Sequence, residues 1–193
     1  MTLSPAFRFV TPVDRDVHRR TARLRELDLL SEDPNPEFDE FAAALAKDLD
    51  TPIAGVNIIG PERQFFAGIY PSSEERGVDP KNDPFRVMSC DSGFCIYATA
   101  RMHALALDEV NDYHIFAGNP VVDAIGVRSY LGAPLIDGTV ALGTVAVIDT
   151  KTREWGADGI AYIKSRAAEL MRKIERRARP GDGSGLVPDR PES

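Results

Sequence analysis

The sequence is poor in the residues from which disulfide scaffolds and metal centres are built. It contains two cysteines and three histidines among 193 residues. Two cysteines do not make a disulfide framework in a chain of this size. Structural zinc sites usually take four cysteine or histidine ligands at close spacing. We therefore expect neither kind of site, and the fold has to be stabilised by an apolar core.

The sequence also lacks a basic excess and a long apolar segment. Its 23 Lys and Arg against 30 Asp and Glu give a formal net charge of −7, which argues against a nucleic-acid partner held through phosphate contacts. No apolar run approaches the roughly 20 residues that cross a bilayer. Residues 1–12 lack the basic and apolar regions of a secretory signal. We therefore expect a cytoplasmic protein without a nucleic-acid or membrane partner.

Recognisable catalytic and nucleotide-binding motifs are missing as well. The chain has no Ser-His-Asp order, no P-loop, no Gly-x-Gly-x-x-Gly and no His-x-x-x-His. Its hydrophobic content of 43% and charged content of 27% are ordinary for a globular protein. We expect one domain over residues 14–178, a flexible N-terminal arm over residues 1–13 and a disordered tail over residues 179–193.

What the chain does have is an informative segment over residues 127–149. Two strand-like runs flank Asp137-Gly138, a dipeptide that favours a two-residue hairpin turn because both residues tolerate a positive φ. Both faces of the predicted hairpin are apolar. One face of the first run holds Val127, Ser129, Leu131, Ala133 and Leu135, and the other holds Arg128, Tyr130, Gly132, Pro134 and Ile136. In the second run, Val140, Leu142, Ala146 and Ile148 oppose Ala141, Val145 and Val147. We therefore expect helices to cover one face and a lid over a ligand pocket to cover the other.

Hydrophobic periodicity predicts the remaining elements. It indicates a first helix capped by Asp14, a second that begins at Asn35-Pro36 and a last helix that starts near Asp158. Strands are expected over residues 53–59, 64–70, 85–88 and 103–107, and a small helix capped by Asp91 or Ser92 precedes the fourth. Strands that outnumber helices and adjoin through hairpins indicate an α+β fold with a central antiparallel sheet.

An apolar stripe at spacings of three and four runs along the last predicted helix. This spacing is typical of a helix bundle or a short coiled coil. The stripe consists of Ile160, Ile163, Ala167, Leu170 and Ile174. Together with Val17 and Leu24 of the first helix, it is a predicted homodimer surface.

Cys90 and Cys95 flank the predicted start of the small helix. The N-terminal dipole of a helix favours a thiolate in its first turn, which would suit a redox-reactive Cys95. Cysteine is also a small hydrophobe that is often buried, and the further ligands of a metal site are missing. We interpret both residues as structural, with a redox role as the alternative. A disulfide between them is not favoured in a reducing compartment.

Arg128 and Tyr130 lie two residues apart on one predicted strand face. A guanidinium and a phenol so placed can hold a carboxylate or a phosphate of a ligand. The alternative is an ion pair of Arg128 that fixes the lid, with Asp108, Asp112 and Asp123 as candidate partners. An arginine that faces a cavity without a partner is costly, so one of the two interpretations must apply.

An acidic cluster with one histidine precedes this hairpin. It consists of Asp108, Glu109, Asp112 and His114. Carboxylates beside an imidazole can perform acid–base chemistry. Aspartates in loops, however, commonly bond their own backbone at turns. We favour loop or cap roles and keep the acid–base group as the alternative.

Four motifs together resemble the GAF domain family of small-molecule sensors, in the subset found alone or ahead of bacterial signalling domains. They lie at residues 92–95 (Ser-Gly-Phe-Cys), 116–120 (Phe-Ala-Gly-Asn-Pro), 127–135 (Val-Arg-Ser-Tyr-Leu-Gly-Ala-Pro-Leu) and 142–149 (Leu-Gly-Thr-Val-Ala-Val-Ile-Asp). The resemblance runs over residues 38–170. The chain departs from the family pattern at Ile115, where arginine is usual, and at Asp112, which is displaced by about one residue. Ser129 replaces an aromatic residue and Ala146 replaces a cysteine.

The resemblance implies a sheet of about six antiparallel strands, with terminal helices on one face and with the small helix and loops closing a pocket on the other. It implies a sensor of a small molecule or of redox state in intracellular signal transduction, acting as a homodimer and not as an enzyme. The ligand and any cofactor are unknown. The alternatives are a thiol-dependent enzyme of the methionine-sulfoxide-reductase type with Cys90 or Cys95 as nucleophile, and an interaction scaffold with a filled cavity. The candidate ligand-binding residues are Phe94, Cys95, Asp108, Asp112, His114, Phe116, Arg128 and Tyr130.

Overall fold

The computed structural model describes residues 11–116 and 118–178, so most of the predicted arm and all of the predicted tail lie outside the described residues. Six strands form one antiparallel sheet in the order β3-β2-β1-β6-β5-β4. The strands are β1 (Ile53–Ile59), β2 (Arg63–Tyr70), β3 (Val87–Ser89), β4 (Leu105–Leu107), β5 (Ser129–Asp137) and β6 (Val140–Asp149). The helices are α1 (Val17–Glu26), α2 (Pro36–Asp48), α3 (Cys95–Arg101), α4 (Pro120–Ile125) and α5 (Gly156–Ala178). The predicted α+β fold with a six-stranded sheet is confirmed.

Helices α1, α2 and α5 cover one face of the sheet and build the larger core. Phe38 and Leu45 of α2 and Leu170 of α5 pack with inward residues of β1, β5 and β6. All three side chains are at most 2% exposed. The apolar stripe of α5 is therefore buried in the domain's own core, and this burial holds the helix against the sheet.

This packing corrects the predicted dimer surface. Leu24 and four members of the α5 stripe are at most 3% exposed, and the fifth member, Ile160, is the exposed end of the stripe. The four buried members are Ile163, Ala167, Leu170 and Ile174. A homodimer stays a prediction, and it would have to use the outer faces of the terminal helices.

Capping side chains were predicted for the starts of α1, α2 and α3, and one of the three predictions is confirmed. Asn35 accepts the backbone N–H of Glu37 at 3.0 Å, with Pro36 at the first helical position, as predicted. The predicted cap at Asp14 is wrong, because α1 begins at Val17 with Asp16 at the cap position and without a side-chain cap. The Asp14 carboxylate accepts from the Asp16 backbone N–H and from the buried Arg20 guanidinium. Neither of the side chains predicted to cap α3 does so, and that helix begins after Phe94 without a side-chain cap.

The β5–β6 hairpin forms where it was predicted, but its turn lies one residue further on. Asp137 pairs with Val140, so the two turn residues are Gly138 and Thr139. Gly138 has a φ of 58°. Glycine at the first central position suits a type II′ turn, whose twist matches that of the flanking strands. The Asp137 carboxylate is thereby free to accept from Arg23 of α1.

A bulge in β6 corrects the predicted faces of the second run. Between the pairs Pro134–Thr144 and Ile136–Ala141, β6 uses one residue more than β5. An extra residue reverses the alternation of side chains along the strand. Val140 and Leu142 therefore share the helix-covered face with Val145 and Val147, while Ala146 faces the other way. Val127 also differs from its predicted face, because it precedes β5 and packs in the smaller core.

Hydrogen bonds of the buried Arg86 side chain hold the long segment between β2 and β3 in place. This side chain is 1% exposed and lies in a 3₁₀ turn just before β3. Its guanidinium donates to both carboxylate oxygens of Asp39 in α2, at 3.0 and 2.8 Å, and to the carbonyl of Phe66 at 3.0 Å. It also donates to Ser73 Oγ at 2.9 Å. A buried cation needs such a complete set of acceptors, and the set ties residues 71–86 to α2 and β2.

Candidate functional site

The other face of the sheet carries the smaller core and an apolar cavity. Helices α3 and α4 cover this face together with the segment that precedes β3. Between these covers and the sheet lies a cavity of about 320 Å³. Its wall residues are Ile53, Ala54, Gly55, Phe66, Ile69, Tyr70, Pro71, Arg76, Pro84, Phe85, Val87, Met88, Gly93, Phe94, Cys95, Val121, Ala124, Ile125, Tyr130, Ala146 and Ile148. An enclosed apolar cavity with a few polar groups is the usual form of a small-molecule site.

Small residues on the sheet make room for the aromatic rings that surround the cavity. A Cβ atom at Gly55 would lie 2.9 Å from the Phe66 ring, and one at Gly132 would lie 2.1 Å from the Tyr130 hydroxyl. The Tyr130 ring therefore lies along β5 and over Gly132. Ala146, the cross-strand neighbour of both glycines, completes this low part of the cavity floor.

Among the described residues, Arg76 is the one charged side chain in the cavity wall, and it is already neutralised. It pairs with Asp83, whose side chain is fully buried, and its guanidinium carbon lies 4.9 Å from the centre of the Phe85 ring. Burial opposes ionisation of Asp83, but hydrogen bonds from Ser73 and Arg76 outweigh it, so the pKa of this carboxyl lies below its usual value. The cavity thus presents no free charge to a ligand.

The inner wall of the cavity is formed by Tyr130 and the start of α3. The Tyr130 hydroxyl donates to Cys95 Sγ over 3.6 Å, and the ring lies 5.1 Å from that of Phe94. Burial raises the pKa of Tyr130 well above its usual value, and the Cys95 thiol raises it further. The phenol is therefore protonated and serves as a hydrogen-bond donor at neutral pH.

Four of the eight predicted ligand-binding residues meet at this inner wall. Phe94, Cys95 and Tyr130 contact the cavity directly. Phe116 lies behind them, 5.2 Å from the centre of the Phe94 ring in an edge-on arrangement, and is 3% exposed. These four residues come from three separate elements, and the smaller core brings them together.

The other four predicted residues lie away from the cavity wall, on the exposed surface. They are Asp108, Asp112, His114 and Arg128. Asp108 accepts the backbone N–H of Trp155 at 3.1 Å, a bond that fixes the loop before α5. Asp112 and His114 lie in successive 3₁₀ turns. The structure does not bring these residues into one group with Tyr130.

Arg128 is the main correction to the predicted site. It precedes β5, its side chain is 49% exposed, and it pairs with Glu109, which was not among its predicted partners. The hydrogen bond from Arg128 is the chief reason why the pKa of Glu109 falls to about 2. Burial acts in the opposite direction, and hydrogen bonds from Asn111 and Thr152 lower the pKa further. Arg128 and Tyr130 therefore do not act on one ligand.

The two cysteines occupy different surroundings. Cys95 is 6% exposed and its sulfur faces the Tyr130 hydroxyl. Cys90 is half-buried, and its sulfur lies 3.8 Å from the carbonyl oxygen of Gly60. Burial raises the pKa of the Cys90 thiol. Both are free cysteines. Within residues 11–116 and 118–178, no group of three or more His, Cys, Asp or Glu side chains is placed to hold a metal ion.

The sequence did not single out Gly55, which lies in the cavity floor, or Phe85 and Arg76, which lie on the wall opposite the sheet. An isolated glycine inside a strand often marks a close approach of other atoms, so Gly55 carried a usable signal. The positions of Phe85 and Arg76 depend on how the segment between β2 and β3 folds back, which no local pattern encodes.

A second groove, more open than the cavity, lies between α2 and the segment after β2. Its volume is about 730 Å³, and acidic residues that include Glu40, Glu74 and Asp79 line it. Carboxylates around an open groove are hydrated, and the groove lacks the enclosed apolar wall of a ligand site. The smaller cavity is therefore the better candidate. No helix among the described residues is long and apolar enough to span a membrane.

Comparison with known proteins agrees with this arrangement. The sequence profile of the GAF domain family matches residues 33–173. A cyclic di-GMP phosphodiesterase of Pseudomonas aeruginosa is 31% identical to the chain over 166 residues. That alignment covers 84% of this chain and 26% of the enzyme, so the chain spans about a quarter of the relative's length.

Solved structures with the same fold include a GAF domain of a phosphotransferase and a methionine sulfoxide reductase. The GAF domain of a phosphoenolpyruvate-protein phosphotransferase from Acinetobacter superposes with a TM-score of 0.57 at 12% identity, over 85% of this chain and 96% of that one. A free methionine-R-sulfoxide reductase from Neisseria meningitidis, solved with its substrate, superposes with a TM-score of 0.58 at 13% identity, over 90% and 99%. Such low identities establish the fold alone. With the profile match over most of its length, the chain belongs to the GAF domain family.

Proposed function

We propose that this chain is a sensory GAF domain that binds a neutral, largely apolar small molecule in the cavity between the sheet and helices α3 and α4. The observation that carries the proposal is the cavity itself, with its volume of about 320 Å³ and its mostly aromatic and aliphatic wall. A cavity of this kind favours a ligand that leaves water for apolar surroundings.

The charge distribution supports a neutral ligand over a phosphate-bearing one. Arg76, the charged wall residue, is paired with Asp83 and stacked on Phe85. A phosphate placed here would have to break that pair and lose its own hydration, which is expensive in an apolar site. The relative from Pseudomonas aeruginosa is named for its action on cyclic di-GMP, but this cavity offers little to recognise such an anion.

A regulatory role fits the cysteine environments better than a catalytic one. A thiol nucleophile needs an exposed position and a lowered pKa. Cys95 is buried against Tyr130, and burial raises the pKa of Cys90. We therefore propose a sensor and not a thiol-dependent enzyme. Turnover of methionine sulfoxide that vanishes in Cys95→Ser would favour the enzyme instead.

The output of such a sensor would pass through the sheet to the terminal helices. Ala146 faces the cavity while its neighbours Val145 and Val147 face the core beneath α2 and α5. A ligand that displaces β6 therefore also moves side chains on the helix-covered face, because close-packed cores transmit small shifts. We propose α1 and α5 as the elements that carry the signal to a partner.

Native mass spectrometry of the protein purified from cell extract tests this function. The expected result is a neutral compound of low mass that stays bound in the gas phase and is released on unfolding. Ala146→Leu places three more carbon atoms on the cavity floor and should abolish binding of that compound. Circular dichroism checks that the variant is folded.

Ala43→Leu is the matched control, because Ala43 lies in the open acidic groove by α2. It should keep the bound compound. A compound that still binds the Ala146→Leu variant but not the Ala43→Leu variant would assign the ligand to the groove. Absence of any bound compound from extract, together with no thermal stabilisation by apolar ligands, would favour the interaction scaffold.

A further inference from the structure

A row of buried polar side chains crosses the cavity side of the sheet at the inner end of the cavity. The four central strands contribute one side chain each: Tyr130 from β5, Thr144 from β6, Asn57 from β1 and Gln64 from β2. Tyr130 is 1% exposed and the other three are 0% exposed. Their sequence neighbours Val56, Phe65 and Val145 belong to the helix-covered core, so strand alternation places the row on the opposite face.

The end of the row at β2 is fully satisfied. Asn57 Nδ2 donates to Gln64 Oε1 at 2.7 Å. Gln64 Nε2 in turn donates to the carbonyl oxygens of Ser89 and Ser92 at 2.7 and 2.9 Å. These bonds anchor the turn that leads into α3, and they account for the burial of the Gln64 amide.

The end of the row at the cavity is not satisfied. Neither Asn57 Oδ1 nor Thr144 Oγ1 has a hydrogen-bond partner among the described residues. The Tyr130 hydroxyl reaches only Cys95 Sγ, a weak acceptor, at 3.6 Å. Burial dominates the raised pKa of the Tyr130 phenol, and a hydrogen-bond interaction with Thr144 opposes it, although the Thr144 hydroxyl lacks the geometry of a full hydrogen bond. Buried polar groups without partners are costly, and the Tyr130 hydroxyl, whose acceptor is a sulfur at 3.6 Å, can donate to a better acceptor supplied from outside the chain.

Of these groups, the Tyr130 hydroxyl is the one that reaches the cavity. Tyr130 and Cys95 both belong to the cavity wall, whereas Thr144 and Asn57 lie behind it. The hydroxyl is held over Gly132 at the level of Ala146 and Gly55, which are also wall residues. A ligand atom seated on this part of the floor would therefore meet the phenol first.

We propose that the inner end of the cavity is a subsite for one neutral oxygen atom, a carbonyl or a hydroxyl, of an aromatic ligand, with the Tyr130 hydroxyl as its donor. This rests on the proposed function, since it assigns the ligand class of the same cavity. The oxygen is neutral because no free cation of the described residues lines the wall. The ligand is aromatic because Phe66, Phe94 and Tyr130 provide flat, apolar contacts.

Isothermal titration calorimetry with three matched ligands tests the proposal. Acetophenone carries a neutral carbonyl, α-methylstyrene replaces that oxygen with a CH₂ group, and benzoate carries a charge. The wild-type protein should bind the first two and bind benzoate at least tenfold more weakly than acetophenone. Tyr130→Phe should weaken acetophenone about tenfold, because the carbonyl is then buried without a donor, and should change α-methylstyrene less than twofold.

Tyr162→Phe is the control, since it removes a hydroxyl from α5 on the other side of the sheet. It should leave both affinities unchanged. If the wild-type protein binds neither neutral ligand, the proposed function fails. If it binds both and Tyr130→Phe weakens them equally or not at all, the proposed function stands and the oxygen subsite is wrong.

A second measurement needs no variant and decides the matter if Tyr130→Phe does not fold. The carbonyl carbon of ¹³C-labelled acetophenone resonates at higher frequency when its oxygen accepts a hydrogen bond. Bound to the wild-type protein, the resonance should lie at higher frequency than in cyclohexane. A bound resonance equal to the cyclohexane value would overturn the subsite.

Discussion

At the residue scale, charge and hydrogen bonding separate two environments around the start of β5. Arg128 lies outside the sheet and pairs with Glu109 at the surface. Tyr130, two residues later, is 1% exposed and faces the cavity. A salt bridge that includes an exposed guanidinium contributes modestly to stability, whereas a buried phenol without a good acceptor favours a ligand that supplies one. Arg128 therefore serves the fold, and we propose that Tyr130 serves the site.

The surface pair should make stability depend on acid pH. Arg128 holds the pKa of Glu109 at about 2, against an ordinary value of 4.5. Because the folded pKa lies below the unfolded one, the stabilisation is complete above about pH 4.5 and is lost as the pH falls towards 2. Glu109→Gln should therefore lower the thermal midpoint at pH 7. The difference in thermal midpoint between the variant and the wild-type protein should shrink as the pH falls from about 4.5 to 2.

Thermal melts followed by circular dichroism between pH 7 and pH 2 measure this difference. Glu154→Gln, a change at an exposed glutamate near the same surface, should melt like the wild-type protein throughout. A difference for Glu109→Gln that stays constant down to pH 2 would contradict the assignment.

At the element scale, the cavity's outer wall is held in place by buried charge. Arg86 links Asp39 of α2 to the segment that carries Arg76 and Phe85. Ser73 joins the two halves of this network, since its hydroxyl accepts from Arg86 and donates to Asp83. The wall is therefore positioned by α2, an element of the opposite layer.

Removing the anion from this network should destabilise the domain strongly. Asp39→Ala leaves the Arg86 guanidinium buried without its counter-ion, a change that costs about 3 kcal/mol. It also removes the acceptor of the Ile69 backbone N–H, bonded at 2.7 Å. Urea unfolding at neutral pH measures the loss, and ligand affinity should fall with it as the outer wall loosens.

Glu40→Ala is the control for this change, because Glu40 follows Asp39 on α2 and is exposed. Its effect should stay within about 0.5 kcal/mol, as for most surface substitutions. Equal stabilities for the Asp39 and Glu40 variants would show that Arg86 does not depend on its partner.

At the scale of the whole molecule, one sheet separates the larger core from the smaller core, which we propose as the binding face. The larger core lies beneath α1, α2 and α5, and the smaller core surrounds the cavity beneath α3 and α4. The stripe along α5 belongs to the first of these, so each single chain has its core complete. This division predicts that substitutions on the two faces have separable effects on folding and on binding.

The α5 stripe should behave as core and not as a dimer seam. Leu170→Asp places a carboxylate at a position that is 1% exposed, which should unfold the domain at any protein concentration. Ala168→Asp makes a similar change on the exposed side of the same helix and should leave it folded. Circular dichroism with light scattering distinguishes the outcomes. A folded Leu170→Asp monomer obtained from a wild-type dimer would contradict this account.

Elements governed by local chemistry could be predicted from the sequence, whereas those governed by strand pairing could not. Asn35-Pro36 carries its cap within four residues, and β1 was predicted with its observed bounds. The bulge in β6 lies next to a close approach of β1, where a Cβ at Gly143 would lie 1.9 Å from the Asn57 carbonyl oxygen. No periodicity in a single strand reports such a contact.

The same limit determines which residues of the candidate site could be predicted from the sequence. Phe94, Cys95 and Tyr130 could be placed beside the cavity because they lie in motifs next to the regular elements that position them. Arg128 was misplaced because β5 begins one residue after it, so the alternation of side chains along the strand does not extend to it. Arg76 was missed because its place depends on buried hydrogen bonds between distant segments.

A titration with acetophenone, followed through the methyl resonances of isoleucine and methionine, shows where a neutral ligand binds. We expect shifts at Ile53, Met88 and Ile148, which line the cavity. Ile163 and Ile174, which lie in the helix-covered core, should shift much less. Shifts confined to the helix-covered core, or no shifts at saturating ligand, would contradict the assignment of this cavity as the sensory site.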